Sequence, residues 1–243
     1  MDGSRALGAN LAIYSSAMDS AAEAADFAWT AMKRQRVLSA IRALPPVVRA
    51  ADIGCRGGLE ADFYHREAGI AEMHGFDIAE APLAVARQRD IVPHLWISGE
   101  QPCPVADGYF DLVMALDVIE HLYDTDIFLT ELRRVLRAGG HLLIATPNLA
   151  WWWSRLLLLA GRTPHGLGPV SPTQSWDPNV DTKHLRLGTA TEWQHLFAHH
   201  GFTCKQVIGY NFPKLLKFPF NILDNIFVDV KYLADSYIFV LAK

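Results

Sequence analysis

No apolar run in this chain reaches the ~18 residues that a membrane-spanning helix needs. The nearest, residues 151–160, is too short and carries Arg155 within it. Residues 1–7 lack the basic-then-apolar layout of a secretory leader, so a cytoplasmic location is expected. Cysteine is scarce: Cys55, Cys103 and Cys204 are odd in number, far apart and without metal-type pairing, and read as reduced thiols. Positive charge is not in excess either. The formal charge of −4 argues against a nucleic-acid partner, which needs clustered Lys and Arg. No fixed-period repeat or low-complexity tract is present.

What is present is the composition of a globular chain, 51% hydrophobic and 20% charged over 243 residues, which suits a single α/β domain. Apolar residues at helical spacing run from about residue 18 to 44 and stop at Pro45-Pro46. Strands and helices then alternate: strands ending at Ile53 and Asp77, a weaker one over 91–97, and further ones over 110–116 and 141–146. Helices are expected near 59–67, 81–89 and 124–136. Such alternation implies a mainly parallel sheet wrapped by helices. Residues 148–183, holding Trp151, Trp152, Trp153 and Trp176, are expected to be irregular. A helix over 189–200, a strand over 205–210, an apolar insertion over 212–233 and a buried strand over 235–243 complete the chain. The segments read as an N-terminal helical part (1–46), a ligand-binding core (47–147), a Trp-rich lid or insertion (148–183) and a C-terminal part (184–243).

The most informative stretch is Asp52-Ile53-Gly54-Cys55-Arg56-Gly57-Gly58. It is a strand end followed by a glycine-rich turn, where backbone can approach a ligand closely. Asp77 follows about 20 residues later at the end of the next strand, the place for a carboxylate that binds two ribose hydroxyls. Together they point to a nucleoside-bearing cofactor.

In order and spacing, several motifs resemble the class I S-adenosylmethionine-dependent methyltransferases, in particular the broad group containing quinone-biosynthesis enzymes. They are residues 52–58, Gly75-Phe76-Asp77-Ile78, residues 102–111, Val118-Ile119-Glu120-His121-Leu122, residues 132–140 and Thr146-Pro147-Asn148. The resemblance implies a Rossmann-like, doubly wound seven-stranded sheet, mostly parallel with an antiparallel C-terminal strand, and S-adenosyl-L-methionine as cofactor, released as S-adenosyl-L-homocysteine. It implies that Asp52, Gly54, Cys55, Arg56 and Gly58 cradle the methionine part and that Asp77 holds the ribose with Ile78 against adenine. Glu100 and Gln101 would edge the adenine, and Leu116 with Asp117 would line the floor. Arg56 departs from the family's central glycine; it either points to solvent or reaches the cofactor carboxylate. Gly99 stands where an acidic residue is usual, leaving the adenine edge to Glu100 or Gln101.

For chemistry, Asp117, Glu120 and His121 come together if their segment is helical. His121 is then a general base for a hydroxyl acceptor, with Asp117 and His184 beside it; the alternative is that Glu120 and His121 cap and brace the next helix. No metal is assigned. A variant resembles the acidic-x-x-Glu-His metal site of some O-methyltransferases, with His184 as a further ligand. His74, His141, His199 and His200 read as structural or solvated. The overall expectation is O-methylation of a small molecule, glycan or lipid-linked precursor, with peripheral membrane contact left open. The rivals are a non-catalytic cofactor-binding subunit and a metal-assisted enzyme acting on a diol or catechol-like acceptor.

Overall fold

The computed structural model describes residue 25 and residues 27–167, 184–212, 220–230 and 232–243. Seven strands form one sheet: β1 (Arg49–Ile53), β2 (Glu72–Asp77), β3 (Val92–Leu95), β4 (Phe110–Leu116), β5 (Leu136–Pro147), β6 (Thr203–Tyr210) and β7 (Ser236–Ala242). Their order across the sheet is β3-β2-β1-β4-β5-β7-β6. β1 pairs in parallel with β2 and β4, β3 with β2 and β5 with β4, whereas β7 runs antiparallel to both β5 and β6.

The central strands read as continuous apolar runs because successive side chains feed two cores. Ala51, Ile53, Val113, Ala115, Leu142, Ile144, Phe239 and Leu241 enter one core. Their neighbours Ala50, Leu112, Met114, Leu143, Ala145, Ile238 and Val240 enter the other. A strand with period-two side chains and helices on both faces must be apolar at every position. The first core is closed by α4 (Thr125–Val135) and α6 (Ala190–His199), which contribute Phe128, Leu132, Trp193 and Phe197. The second is closed by α1 (Ala31–Arg42) and α2 (Leu59–Ala68), through Val37, Ile41, Ala61 and Tyr64. α3 (Glu80–Ala86) follows β2.

Two local expectations differ from the structure. The turn expected at residues 138–140 lies inside β5, which begins at Leu136; Gly139 at φ +71° carries the bend while the chain stays extended. The stretch expected to be irregular contains α5 (Trp152–Leu159), since its Trp and Leu run has neither Gly nor Pro to break a helix. The apolar insertion contains α7 (Phe220–Phe227). Trp176 and the rest of residues 168–183 lie outside the described residues. Capping of α4 falls to Asp124 itself, whose side chain accepts from the Asp126 and Ile127 amides at 3.0 and 2.9 Å, and not to Glu120 or His121.

The sheet changes direction of winding between β1 and β4. A crevice at the carboxyl ends of the strands is where such sheets bind ligands, and the sequence-predicted residues of β1 and β4 lie there.

Candidate active site

β1 delivers Asp52 to the crevice and is followed by a turn whose backbone is fixed from below. The amides of Gly54 and Cys55 both donate to the Phe76 carbonyl of β2, at 2.7 and 3.0 Å. Gly54 has φ +78° and a Cβ there would meet Val118 at 2.8 Å; Gly58 has φ +79° and would meet Ile91 at 2.7 Å. Both positions therefore demand glycine. Arg56 also adopts a positive φ, +51°, so the backbone keeps the left-handed conformation that the resembled family supplies with glycine. Holding an arginine there costs on the order of 1–3 kcal/mol. Part of the return is visible: the Arg56 amide donates to Asp77 Oδ2 at 2.9 Å. Asp77 Oδ1 accepts from Ala79 at 3.0 Å. The carboxylate at the tip of β2 thus ties the glycine turn to the next loop.

Next to this turn opens a cavity of about 600 Å³, a size suited to a small ligand. Asp52, Gly54, Cys55, Arg56, Leu116, Asp117, Glu120, His121 and His184 all line it. Gly58, Asp77, Ile78, Glu100 and Gln101 do not: Gly58 caps α2, Asp77 ends β2 with Ile78 after it, and Glu100 and Gln101 follow β3.

The floor contains groups that the sequence did not single out. Lys33, from α1, is buried and places its Nζ 2.9 Å from Asp117 Oδ2 and 3.3 Å from Glu60 Oε2. Thr30 donates to the other Glu60 oxygen at 2.8 Å, and Tyr210 from the end of β6 donates to Asp117 Oδ1 at 2.8 Å. Asp117 itself has φ +57°, another left-handed non-glycine at the end of a strand. Burial alone would push its carboxyl up, but Lys33 and Tyr210 hold it below its ordinary value. It is an ionised, fully engaged acceptor, poorly suited to take a proton from substrate.

Glu120 is different. It is 0% exposed, and neither carboxyl oxygen has a hydrogen-bond partner. Burial and the neighbouring Asp117 charge push it well above the ordinary carboxylate range. The segment Ile119–His121 is a single 3-10 turn. The Glu120 carbonyl accepts from the amides of Leu185 and Arg186 at 2.9 and 3.2 Å, which lays residues 184–186 across that turn. This contact brings His184 to His121, with ring centroids 4.8 Å apart. His184 Nδ1 lies 2.7 Å from the Gly166 carbonyl. A carbonyl only accepts, so Nδ1 carries the proton and Nε2 is left as the basic nitrogen. One donor atom from each of Glu120, His121 and His184 falls within 4.8 Å of the others.

Two further carboxyls face the cavity. Asp52 is raised to about 8, first by burial and then by Glu60. Asp235, just before β7, is raised to about 7, first by burial and then by Asp224. Neither Asp235 nor Lys33, Glu60 or Tyr210 had a local sequence signal. Each becomes part of the site only through pairing far along the chain.

Comparison with known proteins bears on this geometry. Residues 51–144 match the methyltransferase domain family. The ubiquinone biosynthesis O-methyltransferase of Pseudomonas aeruginosa is 33% identical over 102 residues, covering 40% of this chain and 43% of that protein. A probable S-adenosylmethionine-dependent methyltransferase of Mycolicibacterium smegmatis is 31% identical over 159 residues, 65% of this chain and 53% of its own. The matches thus span little more than half, or less, of the length of these curated relatives. Among solved structures, an S-adenosylmethionine-dependent methyltransferase from Archaeoglobus fulgidus superposes with a TM-score of 0.58 at 17% identity, covering 88% of this chain and 97% of that one. That likeness is one of fold.

Two consequences of the floor can be measured. Lys33→Met leaves Asp117 and Glu60 facing each other without their cation. Breaking a buried pair costs about 3–5 kcal/mol. The partners keep 25% and 23% of their side chains exposed, so the low end, about 3 kcal/mol, is expected from urea unfolding. Asp235 titrates in the folded state at about 7, against about 3.9 when unfolded. Between these values the folded form holds a proton that the unfolded chain has released, so stability is lost as pH rises through that window. Asp235→Asn should remove this loss: wild type and variant should converge in stability at low pH and diverge towards pH ~7, in the variant's favour.

Proposed function

We propose that this chain, whose residues 51–144 match the methyltransferase domain family, is a class I S-adenosylmethionine-dependent methyltransferase that methylates an oxygen of a small molecule, glycan or lipid-linked acceptor. The observation that carries the reading is the placement of His121 and His184 in the same cavity as the glycine turn at Gly54. The lining fits the cofactor, since the carboxyls of Asp52, Glu60 and Asp235 face the same cavity as residues 54–56, which suits a ligand carrying an ammonium and a sulfonium. Asp52, Gly54, Cys55 and Arg56 would hold the methionine end, with Gly58 shaping the turn. Asp77, Ile78, Glu100 and Gln101 would hold the nucleoside, and Leu116 with Asp117 the floor between them. When bound, the cofactor supplies a methyl group on a positively charged sulfur.

The chain's own contribution is mostly positional. Fixing an acceptor in line with the methyl group is worth up to about 7–11 kcal/mol. The Glu120 carbonyl holds residues 184–186 in place and so fixes the distance between the two imidazoles. His121 would take the acceptor's hydroxyl proton, a role worth roughly 10²–10⁴-fold. His184, with its tautomer set by Gly166, would orient or relay beside it. Asp117 contributes by holding Lys33 and Tyr210 in the floor.

A second reading is favoured by one observation, the convergence of Glu120, His121 and His184 within 4.8 Å. Glu120's orphaned carboxyl oxygens fit a cation well, since a buried acceptor without a donor is costly. A carboxylate and two imidazoles would hold a divalent ion that polarises an acceptor hydroxyl or diol.

Calorimetry separates these readings. S-adenosylmethionine or S-adenosylhomocysteine should bind at micromolar to tens-of-micromolar concentration, and absence of binding by both would sink the proposal. Asp77→Ala should weaken binding by about tenfold or more, because a charged acceptor for two hydroxyls and an anchor of the turn are both lost. Unchanged affinity would place the ribose elsewhere. For the metal, Mn²⁺ or Mg²⁺ titration should show one site that His184→Ala removes. Methyl transfer unchanged by a strong chelator would exclude the second reading and leave His121 as the base.

A further inference from the structure

α7 is amphipathic in the wrong sense for a helix of a protein surrounded only by water. Its carboxylate, Asp224, points inward, where Oδ1 accepts from the indole nitrogens of Trp151 and Trp152 at 2.8 and 2.9 Å. Its large apolar residues Phe220, Ile222, Leu223 and Ile226 point outward, Ile226 being 58% exposed. A surface helix ordinarily does the reverse. The inversion is fixed by geometry: with both indoles donating to one carboxylate, turning the helix over would bury Ile226 at the cost of two hydrogen bonds to a charge.

The neighbouring helix shows a related pattern. α5 packs against α7 through Trp152 on Phe227 and Trp153 on Phe220, with ring centroids 5.6 and 5.0 Å apart. Outward from it stand Leu156, Leu158 and Leu159, the last 84% exposed. Arg155, exposed on α5, and Arg162, just past the helix end at Gly161, stand on either side of these leucines in the chain. Arg155 spends its guanidinium on the carbonyls of Ala150 and Tyr232, not on a carboxylate.

Charge selects the occupant of this face. The chain is net acidic at −4, yet the exposed arginines Arg155 and Arg162 accompany the exposed leucines of α5. Of the described acids nearby, Asp224 is held by the tryptophans and Asp229 by Arg36 at 2.6 Å. Exposed Leu, Ile and Phe with arginines beside them match an anionic bilayer surface, where apolar side chains enter the acyl boundary and the cations meet phosphate. A second copy of the chain would bring the same cations face to face.

We propose that the paired outer faces of α5 and α7 form a docking surface for an anionic lipid bilayer, on which the protein lies without crossing it. Among the described residues no helix is long and apolar enough to span a membrane. The surface adjoins the cavity: Trp151, at the start of α5, packs on His165 at 5.9 Å, and His165 and Phe212 line the cavity. Docking would therefore set the cavity near the lipid headgroups.

Flotation of the full chain with vesicles tests this independently of methyl transfer. Vesicles of phosphatidylcholine with phosphatidylglycerol should carry the protein up the gradient, at least about tenfold better than phosphatidylcholine alone, and high salt should reduce the difference. The double variant Leu159→Glu with Ile226→Glu changes two exposed positions, so it should melt as wild type does and bind cofactor in calorimetry as wild type does. Its vesicle partition should fall by about tenfold or more. Wild-type protein that stays unbound with anionic vesicles would overturn the proposal, as would a double variant that floats equally well. A concentration-dependent dimer lost in the double variant, without flotation, would instead assign the face to a second copy.

Discussion

Lys33 carries an ammonium into the interior beneath carboxylates from two other elements, and the ionisation of the whole cavity follows from how that charge is balanced. Desolvating a lysine is expensive, and it is tolerated here because Asp117 and Glu60 both lie within salt-bridge distance. The consequence for Asp117 is that it stays ionised at a position where burial opposes it. The consequence for Glu120 is the opposite, because the retained charge on Asp117 adds to burial and favours the protonated acid. One ion pair thus sorts neighbouring carboxyls into different roles, as pairs of titratable groups in active sites are commonly sorted. It also joins α1, α2, β4 and β6 across the crevice, so the floor is rigid before any ligand arrives.

The carboxyls around that pair give the cavity its chemical preference. Asp52 and Asp235 stand in it with raised affinities for protons, and neither Glu120 oxygen has a hydrogen-bond partner, His121 Nε2 lying 3.9 Å from Oε1. A guest bearing positive charge would relieve this shortage of cations, whether a sulfonium or a metal ion. Arg56 stands at the mouth, held with a positive φ by the same turn.

Much of the fold was legible because its signals are local. Apolar runs bounded by turns marked the strands, and the glycine turn with Asp77 marked the cofactor side. The conformation at Arg56 was legible only as a departure from a motif; its backbone keeps the glycine geometry at φ +51°. What was not legible depends on distant pairing. Lys33 meets Asp117 and Tyr210 meets Asp117 across 84 and 93 residues of chain, and no periodicity announces such contacts. α7 was hidden for another reason. Its Phe, Leu and Ile content marked an apolar insertion without a helix assigned to it, and its inward aspartate has meaning only once Trp151 and Trp152 are in place.

The position of β7 has a bearing on the order of assembly. It follows β6 in the chain, yet it lies between β5 and β6, and β6 has β7 as its neighbour in the sheet. β6 therefore has no strand to pair with until β7 has been made and inserted. Strands β1 to β4 pair only among themselves and with β5, whose outer edge awaits β7. The glycine turn and its carboxylates can accordingly form while the chain is still emerging, whereas the wall supplied by Tyr210, Asp235 and Ser236 must wait. A nascent or interrupted chain would hold the glycine-turn side of the cavity before it possessed the wall that β6 and the start of β7 supply. In that interval the unpaired edge of β5 is exposed to other strands.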